Sequence, residues 1–121
     1  MVKIHSYKEL IVWQRSLELV LEIYSLTDKF PKEEIYGLVS QMRRAAVSIP
    51  SNIAEGRLRE HRKEFRQFLL NAFASGGELE TQIEIARQLP KTRELNYQKA
   101  ESLPTEVMKM LNSIINKLRS S

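Results

Sequence analysis

Five side chains with a fixed positive charge fall within ten residues: Arg57, Arg59, Arg62, Lys63 and Arg66, with His61 among them. Groups of this kind at this density suit phosphate, arginine as a planar two-pronged donor and lysine as a point charge. Arg43 and Arg44 add a second basic pair upstream. Contacts of this type follow the backbone of RNA or DNA and are mostly independent of base order. Phe65, the one aromatic residue in the run, fits an apolar helical stripe better than a base-stacking role. The competing reading of the same residues is a solvated face, partly paired with Glu60 and Glu64 at helical spacing.

Between the two basic groups lies QMRRAAVSIPSNIAEG, residues 41–56. Its polar members Ser48, Ser51, Asn52 and Glu55 surround Pro50 and invite an active-site reading. Nothing elsewhere supplies a nucleophile's base or an oxyanion donor. His5 and His61 are far apart in sequence, the serines near them have no flanking glycine elbow, and no phosphate-cradling glycine loop is present. Glu55, Glu78, Glu80 and Glu84 could form an acid/base pair or a metal site, yet there is no Glu-x-x-His motif, and without cysteine there are no thiolate ligands or disulfides. No catalytic residue, metal site or cofactor is therefore assigned, and an enzyme is not expected. The residues around Pro50 suit a structural joint instead. Ser48, Ser51 or Asn52 can bond backbone groups that the proline leaves unpaired, and Glu55 can pair with an arginine at a helix or subunit contact.

These residues need helices to position them. Ser6 and Glu9 form a capping box, so a first helix is expected to begin there. Leu10, Trp13, Leu17, Val20 and Tyr24 make its apolar stripe, with Val12, Leu19, Ile23, Leu26 and Phe30 running beside it. The combined arc is wide, so part of it is expected to face another subunit unless the monomer core is unusually broad. Phe30-Pro31 ends that segment. A second helix opens at Lys32-Glu33-Glu34 and carries Ile35, Leu38, Val39, Met42, Ala45, Ala46 and Ile49 at helical spacing. Ile53 and Ala54 keep register past Pro50, which favours one long kinked helix over residues 32–57 against a stop and restart. Gly37 hints at close packing, and Gly56 is either the helix stop or the start of a tight turn.

A third helix is expected from His61 or Arg62 to Leu89-Pro90, with Phe65, Phe68, Leu69, Ala72, Ser75, Gly76, Leu79, Ile83 and Ala86 inward. Gly76-Gly77 marks close approach of a neighbour, or a break. After the loop KTREL, a fourth helix carries Tyr97, Ala100, Leu103, Val107, Leu111, Ile114 and Leu118, and is kinked or split at Pro104, where Thr105 can cap a restart. Short connections between four helices predict an all-α, antiparallel up-down four-helix bundle in a single domain over residues 1–121.

Composition agrees. At 121 residues, with 42% hydrophobic and 28% charged side chains, the chain is long enough for one core and is not disordered in type. No apolar run approaches a membrane span and no signal-peptide pattern appears, so a cytoplasmic protein is expected, with no membrane partner. The net charge of +4 is local. Residues 57–66 hold five basic against two acidic side chains and residues 105–121 three against one, while the rest nearly cancels.

The run FPKEEIYGLVSQMRRAAVSIPSNIAEG (residues 30–56), then FLLNAFASGGELET (68–81), Trp13 and the ending VMKMLNSIINKL, closely resembles the four-helix-bundle proteins encoded by intervening sequences in bacterial 23S rRNA genes. SIPSNIAEG is the most specific part. One departure is Ala74-Ser75 where the family usually has Gly-Ser. The resemblance implies a ring of parallel subunits, usually a homo-pentamer. It also points to the related accessory variability proteins of diversity-generating retroelements, basic barrels that bind nucleic acid and a reverse transcriptase. The functional expectation is a basic, oligomeric RNA- or DNA-binding accessory protein. The alternative is a scaffold whose ring binds a protein partner such as a reverse transcriptase without touching nucleic acid.

Overall fold

The computed structural model describes residues 6–119. It contains four helices, α1 (Ile11–Thr27), α2 (Ser40–Leu58), α3 (Arg62–Gln88) and α4 (Gln98–Arg119), and no strand among the described residues. Contacts run α1 to α2, α2 to α3, α3 to α4 and α4 back to α1, so each helix has two neighbours around one shared apolar core. Among the described residues, no helix is long and apolar enough to cross a membrane.

The capping box at Ser6 starts less than expected. The Ser6 hydroxyl accepts from the Lys8 amide at 3.0 Å, but this closes only a single 3-10 turn, Tyr7–Glu9. Leu10 then leaves helical geometry, and α1 begins at Ile11. The core-facing stripe of α1 is Val12, Ser16, Leu19, Ile23, Leu26 and Thr27. Leu17 and Tyr24, expected inward, are 37% and 40% exposed. Two hydroxyls disguise the true stripe: Ser16 bonds the Trp13 carbonyl at 2.7 Å and Thr27 the Ile23 carbonyl at 2.6 Å, so both are buried with their donors satisfied.

The second helix is continuous across Pro50 but shorter at its start than 32–57. A 3-10 turn (Lys32–Glu34) and a wide turn (Ile35–Val39) precede it, and Gly37 leaves helical geometry at φ −111°, ψ −105°. Gly37 is not a close-packing site, because a Cβ there would meet nothing nearer than a Glu34 carboxylate oxygen at 3.5 Å. From Ser40 the helix spans 19 residues, about 28 Å at 1.5 Å per residue. Burial explains its passage through Pro50. Met42, Ile49 and Ile53 are at most 1% exposed, each worth about 1.5–3 kcal/mol, which outweighs the roughly 3 kcal/mol cost of an interior proline. Gly56 is neither stop nor turn. It lies inside α2, where an added Cβ would sit 2.6 Å from the Phe68 Cβ, so it allows α3 to approach.

α3 runs unbroken through Gly76-Gly77. Only Gly76 answers to close approach, since its Cβ would stand 2.9 Å from the Met108 side chain on α4, whereas Gly77 faces open space with nothing within 4 Å. α4 likewise continues through Pro104 rather than splitting. Thr105 caps no restart; its hydroxyl bonds the Glu101 carbonyl one turn back at 3.1 Å. The α3–α4 connection is anchored by Thr92, 1% exposed, whose hydroxyl donates to the Ala86 carbonyl at 2.6 Å and whose carbonyl accepts from the Tyr97 hydroxyl at 2.8 Å.

Candidate nucleic-acid interface

The corner between α2 and α3 is made without glycine. Glu60 adopts φ 62°, in the left-handed region that glycine or asparagine usually fills at a helix end. His61 is extended (φ −122°, ψ 129°), and α3 starts at Arg62. The tight turn therefore throws Arg57, Arg59, Arg62 and Lys63 onto two successive helix ends.

The first turn of α3 then reaches the last turn of α4. Arg62 donates to the carbonyls of Lys117 (3.0 Å) and Leu118 (3.2 Å), and Arg66 to that of Ile115 (3.3 Å). Arg62 thus adds donors to carbonyls of the last helical turn in the manner of a C-terminal cap, and Arg66 adds one to a carbonyl a turn earlier. The consequence is electrostatic. The basic run 57–66 and the end of α4, with Lys117 and Arg119 in its last turn, meet at one end of the molecule. Spacing along the chain could not reveal this meeting, because 49 to 56 residues separate the partners.

The remaining cations divide into anchored and free. The Arg59 guanidinium lies 5.1 Å from the Phe68 ring centroid and 3.4 Å from a Glu55 carboxylate oxygen. The side chains of Arg57 and Lys63 make no hydrogen bond or ion pair among the described residues, and Lys63 is exposed. Arg43 is not brought to this end. It donates to the Thr27 hydroxyl (2.9 Å), the Tyr24 carbonyl (3.4 Å) and the Asp28 carboxylate (2.9 Å), and stacks 4.3 Å from the Tyr24 ring centroid. It thereby clamps the end of α1 to the start of α2. Arg44 is exposed and without a partner among the described residues, about 20 Å along the helix from Arg57 at 1.5 Å per residue.

The residues around Pro50 do hold helices together, though not all as expected. The Ser48 hydroxyl on α2 lies 2.9 Å from that of Ser75 on α3, and the Asn52 amide donates to the Ser48 hydroxyl (2.9 Å) and carbonyl (2.8 Å). That carbonyl is not the one Pro50 deprives of its donor, which belongs to Ala46, four residues earlier. Ser51 is exposed and bonds nothing among the described residues, and Glu55 pairs with Arg59 at the end of its own helix. No three histidine or acidic side chains among the described residues converge as a metal site.

Four helices around one core, with four basic residues grouped at the corner between α2 and α3, define a helical-bundle protein. Residues 8–113 match the family model of the 23S rRNA-intervening sequence protein, and the chain belongs to that family. No curated protein matches the chain.

Proposed function

We propose that this is a non-enzymatic, cytoplasmic nucleic-acid-binding protein, built as an antiparallel up-down bundle and assembled as a ring of parallel subunits, a homo-pentamer. Its contact surface is the end bearing Arg57, Arg59, Arg62, Lys63 and Arg66. One observation carries the reading: the basic run 57–66 meets the basic end of α4, with Lys117 and Arg119, through Arg62 and Arg66 on the carbonyls of Ile115, Lys117 and Leu118. The same hydrogen bonds support the antiparallel arrangement, since they join the start of α3 to the end of α4. Parallel subunits in a ring would put every copy of this end on one face and sum their fields toward the phosphates of RNA or DNA.

The test uses Arg57→Gln with Lys63→Gln, two side chains that hold no other part of the fold. Fluorescence anisotropy with labelled RNA and DNA at several salt concentrations should show weaker binding. The slope of log K against log salt should shrink by about 0.7 to 0.9 for each phosphate that the engaged subunits no longer neutralise. Unchanged affinity and slope would remove this end as the interface.

A second reading, a scaffold for a protein partner, draws support from Tyr36. It is 97% exposed beside Ile35 at 46%, an aromatic and an aliphatic side chain offered together ahead of α2. An assembled wild-type protein that binds neither RNA nor DNA at low salt would favour the scaffold.

A further inference from the structure

We infer that the outer face of α1 and α2 docks onto the outer face of α3 in a second copy of the chain, with Arg44 of one copy meeting Glu80 of the next. The assignment rests on the antiparallel bundle and the ring of parallel subunits proposed above, and names the two surfaces that would close that ring. Leu17, Leu21 and Tyr24 form a ridge at helical spacing on α1, with Leu21 69% exposed, and Val47 on α2 is 40% exposed. Tyr24 and Val47, with Ser40, Arg43, Arg44 and Ser48, line a shallow groove of about 510 Å³. α3 carries the counterpart. Gly77, Thr81 and Ile85, four residues apart, line a groove of about 650 Å³ flanked by Glu80 and Glu84. Gly77 contributes no side chain and an added Cβ would touch nothing, so α3 leaves a vacant slot at mid-helix, and Ile85 in the same groove is 46% exposed. A side-chain ridge packs into such a slot.

Charge and height pick the same pairing. Arg44 and Glu80 are both exposed, opposite in sign, and without a hydrogen bond or ion pair among the described residues. The Ser48–Ser75 hydroxyl contact sets the register of α2 against α3. In an antiparallel pair, four residues back on α2 from Ser48 is level with four residues on along α3 from Ser75. Arg44 therefore stands at the height of Leu79, between Glu78 and Glu80. Tyr24 shares that height, because the Arg43 guanidinium stacks on its ring at 4.3 Å. Rotation about an axis parallel to the bundle preserves height, so neighbouring copies would bring these levels together. The contact is head-to-tail, the kind that closes a ring rather than a two-fold dimer.

Light scattering on the full chain tests the pairing. Arg44→Glu and Glu80→Lys should each weaken association at least tenfold at low salt, with helical content unchanged by circular dichroism. The double variant, which restores opposite charges across the contact, should recover the wild-type mass. Gly77→Phe, filling the slot, should also dissociate the assembly. If the wild type assembles yet both single variants keep its mass, or the double variant fails to recover, the two faces are wrongly assigned while the ring reading stands. A monomeric wild type overturns the ring and this pairing together.

Discussion

The hydroxyl of Ser48 on α2 lies 2.9 Å from that of Ser75 on α3, and the Asn52 amide closes on Ser48 from one turn further along α2. The three form a small polar chain in the wall between two closely packed helices. Ser75→Ala should cost about 1 kcal/mol of stability in urea unfolding, the usual net worth of one hydrogen bond. Ser48→Ala should cost more, because Asn52 loses an acceptor too. The pair should be non-additive. Strictly additive losses would mean that the hydroxyls do not interact.

Gly56 and Gly76 both sit where a neighbouring helix approaches, but against different obstacles. A Cβ on Gly56 would press on the Cβ of Phe68 at 2.6 Å, next to the α3 backbone, whereas one on Gly76 would meet the flexible end of Met108 at 2.9 Å. Gly56→Ala should destabilise by about 1–3 kcal/mol, the range for overpacking. Gly76→Ala should cost clearly less, since Met108 can turn away while alanine favours the helix by roughly 1 kcal/mol. Equal melting points for the two variants would contradict this account.

Adjacent arginines should behave oppositely. Arg43 bonds Thr27, Tyr24 and Asp28 across two elements. Arg43→Ala should lower the melting temperature, at a cost of about 1–3 kcal/mol for removing charge-assisted bonds. Arg44→Ala should leave the stability of a single subunit within about 0.5 kcal/mol, as is usual for an exposed site. A similar loss from both would show that Arg43 is not the clamp described.

Acid should weaken the fold through three carboxylates. The Arg15 hydrogen bonds hold Glu106 below its ordinary value of 4.5, Lys91 does the same for Glu33, and Gln88 followed by Arg87 lowers Glu84. Each has a lower pKa folded than unfolded, so its contribution is present above about pH 4.5 and fades as pH falls through the folded value. Glu106→Gln should make the acid limb of the stability profile shallower. At the other extreme, burial raises the Tyr97 hydroxyl above 10.0, so its contribution is intact below that pH and lost as pH rises past it. Tyr97→Phe should soften the alkaline limb, and identical acid limbs for wild type and Glu106→Gln would argue against the Arg15 pair.

Much of this architecture is legible in residue spacing. Helix number, the turn at Phe30-Pro31, the end of α3 at Leu89-Pro90 and the passage of α2 through Pro50 follow from periodicity and proline chemistry. The departures share a cause. Ser16 and Thr27 belong to the core because each hydroxyl satisfies a carbonyl of its own helix, which no apolar pattern records. A glycine at position 56 has the look of punctuation, while the turn itself is made by Glu60 at φ 62°. The candidate site is half visible. The arginine run stands out, but its link to the end of α4 depends on tertiary contacts, as does the use of Arg43 as a clamp.

The arginine contacts near the end of α4 separate anchoring from neutralisation. Three other arginines are held by carboxylates, Arg15 by Glu106, Arg43 by Asp28 and Arg87 by Glu84 and Glu101, so position is gained as charge is cancelled. Arg62 and Arg66 are held by backbone carbonyls, which carry no net charge. A whole helix end presents only about half an elementary negative charge, against a full positive charge on each guanidinium. These two arginines are thus immobilised cations whose charge stays largely uncompensated, and a polyanion arriving there meets donors already set in place.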